Sequence, residues 1–163
     1  MVRANIRSYA FPSGTCTMIN LIVEVLLGYL VADALTGIYH AATDYGWNVR
    51  SQVALFQDHH DHPRGITRDP KPAFAGIPLM LCGTLGHPAF FIVLGVTVSL
   101  SQVAHYYAHH RGSTVVRFLQ SWHVIIPPHK HAVHHHQFDR NFCVLSGWNN
   151  CWLNWILATC KSR

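Results

Sequence analysis

Acidic side chains are scarce in this 163-residue chain: it has seven Asp and Glu against twelve Lys and Arg, and Glu24 is its only glutamate. Charged residues make up 12% of it, about half the usual share of a soluble domain, while half of the chain is hydrophobic. The first figure argues against an ordinary water-facing surface, and the second argues against disorder. Cysteines spaced C-x-x-C are lacking. The five present (Cys16, Cys82, Cys143, Cys151, Cys160) are odd in number, so neither a disulfide framework nor a zinc ribbon is indicated, and they read as free thiols. Without a glutamate beyond Glu24 there is no H-E-x-x-H and no glutamate base for a zinc hydrolase, which argues against peptide or ester hydrolysis. What the chain has in quantity is histidine, fourteen in all, more than Lys and Arg together. The length suits one domain, read as an N-terminal segment 1–15 and a single unit 16–163.

Two stretches are long and apolar enough to be read as membrane segments. The first covers residues 16–38, sufficient for the ~20 residues that cross a ~30 Å hydrocarbon layer, and it holds Glu24 and Asp33. Acids at that depth are costly and usually face a protein interior or a site, so both are weak functional pointers. This run is longer than a signal-peptide core, and no cleaved signal is expected. The second stretch, 77–104, has no charged side chain and is broken by Gly86-His87-Pro88, which predicts a helical hairpin with a short arm to Leu85 and a longer arm from Ala89. Between them, the Pro- and Gly-punctuated segment 45–75 reads as a polar loop region. Trp148, Trp152 and Trp155 suit an interfacial position near the end. Two Lys/Arg precede the first stretch and ten follow it, placing the larger set, and with it the histidines, on the cytoplasmic face. The expected class is all-α, an integral membrane helical protein with a cytoplasmic histidine-rich di-metal site.

The histidines fall into three clusters: His40 with Asp44; His59-His60-Asp61-His62; and His105-x3-His109-His110 followed by His131-x2-His134-His135-His136. Residues three or four apart on a helix share a face, so His105 with His109, and His131 with His134 and His135, are metal clamps by spacing. Asp33, Gly37, His40 and Asp44 form one stripe of one helix. His87, His110, His129 and His136 read as incidental surface residues. About eight imidazoles are enough for two metal ions, and nitrogen ligation suits iron, copper or zinc alike. A site beside acyl chains favours di-iron oxygen chemistry on C–H bonds.

At these residues the sequence resembles the Kua-type lipid desaturase family. The matching stretches are Asp33-x3-Gly37-x2-His40-x3-Asp44, FQDHHDHPRGITR (Phe56 to Arg68), His105-x3-His109, LQSWHVIIPPHKHAVHH (Leu119 to His135) and FCVLSGWNN (Phe142 to Asn150). The resemblance implies a membrane-bound, O2-dependent oxidoreductase with two iron ions held by His40, His59, His60, His105, His109, His131, His134 and His135. It also implies a cytochrome b5-type electron donor, a membrane phospholipid substrate and an endoplasmic reticulum location, with a plastid membrane as the lesser alternative and no nucleic-acid partner. The implied reaction is desaturation of plasmanylethanolamine beside its ether oxygen, giving the vinyl ether of a plasmalogen. Trp122-His123-Val124-Ile125 looks like that branch, whereas Ser146 to Asn150 is also similar to the plastid branch that acts on phosphatidylglycerol. His123 matches as a supporting residue, as does Asp44. The family's animal members carry a further histidine where this chain has Asp69, so Asp69 or His62 takes that part, or the ligand is missing. The family also leads one to expect a further membrane helix ahead of the first here. Two other readings remain: a hydroxylase with the same centre, and a non-catalytic membrane protein that binds metal or haem.

Overall fold

The computed structural model describes residues 13–65 and 74–161. Asp69 and most of the segment 1–15, named above, therefore lie outside the described residues. Among the described residues the chain is helical, with no strand. Helix α1 (Ser13–Asp44) is followed by α2 (Arg50–Asp61), a short 3-10 turn at Pro63–Gly65, and α3 (Ile77–Leu81), which tightens into a 3-10 turn at Cys82–Leu85. Then come α4 (Pro88–His109), α5 (Thr114–Ser121), α6 (Pro128–His136) and α7 (Asn150–Lys161).

Helix α1 outlasts its apolar stretch. Its 32 residues rise about 48 Å at 1.5 Å each, more than the ~30 Å of a hydrocarbon layer. The last turns, which carry His40 and Asp44, thus extend past the apolar run ending at Ile38. Gly46 stops the helix in the left-handed region (φ 74°), where its N–H reaches the Thr43 carbonyl and the Trp47 N–H reaches that of Ala42. This pair of bonds closes a helix end only where the following residue tolerates positive φ.

The expected hairpin is present. Gly86 (φ 120°) and His87 (φ 52°) reverse the chain, and Pro88 opens α4, where its missing N–H costs nothing. Glu24 on α1 holds this tip, its carboxylate taking His87 Nδ1 at 2.9 Å and the Phe90 N–H at 3.4 Å. His87, read as incidental, is thus a packing partner of one of the two acids read as functional pointers.

Helices α1 and α4 form the most extensive interface in the molecule. They approach closely at Gly28, where a Cβ would stand 2.6 Å from the Phe90 carbonyl oxygen. Both helices are long and apolar enough to cross a membrane, and both are mostly exposed rather than buried. Leu21, Ile22, Leu26, Ile92 and Leu100 are each more than half exposed. A soluble core helix would bury these residues, so the outward faces form an apolar belt of the kind that meets lipid.

The other acid, Asp33, is wholly buried and belongs to the fold. Its Oδ1 accepts the N–H groups of Ser146 (2.8 Å) and Gly147 (3.1 Å); its Oδ2 accepts the Asn149 N–H and side-chain amide, both at 3.0 Å. Asn149 also donates to the Leu30 carbonyl at 2.9 Å. The loop ahead of α7 is therefore clasped to the middle of α1. Beside the clasp, Gly37 leaves room for Cys143, whose Sγ would stand 2.5 Å from a Cβ there. Replacing Asp33 by Ala strips three backbone N–H groups of their acceptor, each at a cost of about 1–3 kcal/mol. The thermal midpoint in detergent is expected to fall by about 10 °C or more; a midpoint within about 2 °C of the parent chain would remove the clasp from this account.

Candidate metal centre

Four helices bring histidines to the end of the molecule where α1 leaves its apolar run. Helix α1 supplies His40 and Asp44, α2 supplies His59 and His60, α4 supplies His105 and His109, and α6 supplies His131, His134 and His135. Their ligand atoms form two groups, each with all atoms within 4.8 Å of one another: His59, His105, His109, His131 and His135 in one, His40, Asp44, His60 and His134 in the other. All eight histidines expected to be ligands from the sequence are thus brought together. Asp44, expected as support, stands among them.

In the five-histidine group, His131 Nε2 lies 2.9 Å from His105 Nε2, 2.9 Å from His109 Nε2 and 3.1 Å from His135 Nε2. Hydrogen bonds cannot account for this. A neutral imidazole nitrogen has one proton or one lone pair, so at most one of the three approaches is a hydrogen bond. A cation does account for it, because two imidazoles bound at 2.0–2.1 Å and at right angles stand about 3 Å apart. His59 completes the group, its ring centroid 4.6 Å from that of His105 and 4.7 Å from that of His109, and both its nitrogens are buried without a partner.

The second group shows the same signature with a carboxylate. Asp44 Oδ2 is 3.3 Å from His40 Nε2 and 3.2 Å from His134 Nε2, yet none of these three atoms is aligned for a hydrogen bond. They face a common point. Asp44 Oδ1 meets His60 Nε2 at 3.1 Å. Two backbone carbonyls fix the tautomers: His40 Nδ1 donates to Phe142 O at 3.1 Å and His134 Nδ1 to Arg140 O at 2.8 Å. A carbonyl only accepts, so both rings carry their proton on Nδ1 and turn a bare Nε2 inward, as a metal ligand must.

Burial is the main force on the rings, with neighbouring imidazoles adding to it. It pushes His59 and His135 down to about 3, and it lowers His131 well below the ordinary histidine value. These rings are neutral at physiological pH, the state that binds a metal. The Cys143 thiol is pushed up by burial and stays protonated.

Residues that the sequence placed near the site but the fold does not are His62 and His123. His62 follows the last residue of α2 and is exposed, paired with Asp58 at 3.2 Å. His123, in the left-handed region just past α5, has His129 as its nearest ring partner at 6.4 Å. The carbonyls of Arg140 and Phe142 went unnoticed in the sequence, since every residue carries one and only the fold aims it.

Two cavities reach the centre from different sides. One, of about 690 Å³, is lined by apolar residues including Leu35, Leu79, Val98 and Val144, and it meets His40 of one group and His105 of the other. The second, of about 790 Å³, is the more polar of the two and touches Asp44 and His60.

Fold and site together define a helical protein of membrane type built round a histidine-rich centre that could hold metal. Residues 29–158 match the lipid desaturase domain family, and the chain belongs to that family. It is 33% identical over 146 residues to the chloroplast fatty acid desaturase 4 of Arabidopsis thaliana, covering 76% of this chain and 45% of the relative. It is 27% identical to plasmanylethanolamine desaturase of Myxococcus xanthus, covering 80% and 54%, and 28% identical to plasmanylethanolamine desaturase 1 of Mus musculus, covering 80% and 59%. The chain spans about half the length of these curated relatives. No solved structure matches it.

A pH consequence follows from the buried rings. Unfolded, His59 and His135 take up protons near 6.5; folded, near 3. Between these values the unfolded chain binds more protons, so the metal-free protein loses stability as pH falls through the window. Thermal midpoints of metal-free protein across a pH series are expected to decline below about 6.5; a flat series would mean that these rings are not buried in the folded chain.

Proposed function

We propose that the chain is a membrane lipid desaturase with a di-iron centre. The observation that carries this reading is the largely apolar cavity, whose lining includes His40 of one ligand group and His105 of the other. Its volume lies within the roughly 300–1,000 Å³ typical of ligand sites. His40, His60, His134 and Asp44 hold one ion, and His59, His105, His109, His131 and His135 hold the other. When bound, the irons supply O2-dependent removal of two hydrogens from adjacent carbons. One O2, two substrate hydrogens, two electrons and two protons give the alkene and two waters, with a cytochrome b5-type donor supplying the electrons.

The protein's own part is to position and exclude. Leu79 and Val98 give the chain an apolar wall and keep water from the reacting carbons. Tyr39, half-exposed on the rim, donates to Gln52 Oε1 at 3.2 Å and offers polar groups to the ether or ester end of a lipid. The centre lies at the cytoplasmic face of the endoplasmic reticulum membrane, and plasmanylethanolamine is the substrate, becoming the vinyl-ether lipid. The identity to the chloroplast relative favours a second reading, desaturation of an acyl chain on phosphatidylglycerol in a plastid membrane.

Expression in cells lacking their own plasmalogen desaturase is expected to yield acid-labile vinyl ethers by lipid mass spectrometry. His105→Ala or His134→Ala should return that signal to the empty-vector level while the protein still enters the membrane. Vinyl-ether product that persists in both variants would sink the assignment, and an unsaturated phosphatidylglycerol in its place would transfer it to the second reading. Purified protein should carry two non-haem irons per chain, one for each ligand group. Val98→Trp should cut product by about tenfold or more with iron content retained, since it fills the wall of the chain cavity without touching a ligand.

A further inference from the structure

The metal centre has to be filled through one of its openings, and these differ in charge. The apolar cavity that meets His40 and His105 has no charged side chain among its described lining residues. A hydrated cation would have to shed much of its water there among mostly apolar walls and with no carboxylate to receive it. A smaller cavity of about 310 Å³ reaches His109 but is lined by Arg111 and Arg117, which repel a cation. The polar cavity is different. It is lined by Asp44, Gln57, His60, Asp61, Asp139 and Arg140, and three carboxylates face one guanidinium already held by Asp139 at 3.1 Å. At its inner end Asp44 is 7% exposed, and its Oδ2 lacks a hydrogen-bond partner. A buried, bare carboxylate oxygen at the bottom of an open acidic cavity is a first ligand for an entering cation.

Resting on the metal-centre reading, we infer that this polar cavity is the loading port for hydrated divalent metal ions. Asp61 and Asp139 gather the ion, and Asp44 with His60 receives it. The port and the chain cavity share no lining residue, so metal and lipid reach the same centre by separate paths. An excess of negative charge in a cleft draws cations in, and the gain shrinks as salt screens the field.

The test uses metal-free full chain in detergent, mixed with Co2+ in a stopped-flow instrument. Absorbance of bound cobalt gives the uptake rate, and metal analysis at equilibrium gives the final count. Asp61→Asn with Asp139→Asn is expected to slow uptake by about threefold or more, to flatten its dependence on salt and to leave the final count unchanged. In the parent chain, uptake itself should slow as salt rises, a readout that needs no variant. Arg111→Gln with Arg117→Gln should leave the rate as it is. An unchanged rate in the aspartate variant, or a salt-independent rate in the parent, overturns the port. A lowered final count also overturns it, since the aspartates would then be ligands, and faster uptake in the arginine variant moves entry to the cavity at His109. Failure of the parent chain to bind cobalt at all would instead remove the metal-centre reading on which the port rests.

Discussion

Lone pairs turned toward one another hold the key to this molecule. Eight imidazoles and one carboxylate occupy the end of a helical bundle, several of their nitrogens and one carboxylate oxygen buried without a hydrogen bond, and burial keeps His59, His131 and His135 neutral. Such an arrangement is costly without a cation, because each bare nitrogen has given up water for nothing. The remainder of the fold can be understood as the scaffold that keeps those atoms converging: α1 and α4 rise side by side, and α2 and α6 close over their ends.

That scaffold depends on contacts well away from the ligands. Asp33 binds the backbone of residues 146–149, and the loop so held runs back through Cys143, which sits in the space left by Gly37. One residue further back is the Phe142 carbonyl that orients His40, and two beyond that is the Arg140 carbonyl that orients His134. An acid in the apolar part of α1 thus helps hold the stretch of backbone whose carbonyls aim two imidazoles. The serine, glycine and paired asparagines of the 146–150 stretch serve the same end. Asn150 caps the Cys143 N–H at 2.9 Å, and Asn154 trades two bonds with Asn141.

The sequence was most legible where chemistry repeats at short range. Helical spacing paired His105 with His109 and His131 with His134 and His135, the family resemblance supplied the rest of the eight, and the Gly-His-Pro break marked the hairpin, because these signals reside in neighbouring residues. It was least legible where partners are distant. Asp33 looked like a site residue, as any acid in an apolar run does, and only its partners more than a hundred residues away show it to be a structural clasp. Hydropathy ended the first segment at Ile38, although the helix continues to Asp44, since apolarity reports the lipid boundary whereas Gly46 sets the helix end. His62 shares a run with His59 and His60, but α2 stops at Asp61, so the periodicity that aims its neighbours no longer applies to it.

The two histidine doublets each divide between the ligand groups. His59 and His135 belong to one and His60 and His134 to the other, because adjacent residues on a helix point about 100° apart. The groups share two stretches of backbone yet no side chain. Each can therefore be altered on its own, His60 without His59 or His135 without His134. By the same geometry, a single residue inserted within α2 or α6 ahead of its doublet would rotate both rings off their points at once, leaving these helices intolerant of changes in length that loops elsewhere would absorb.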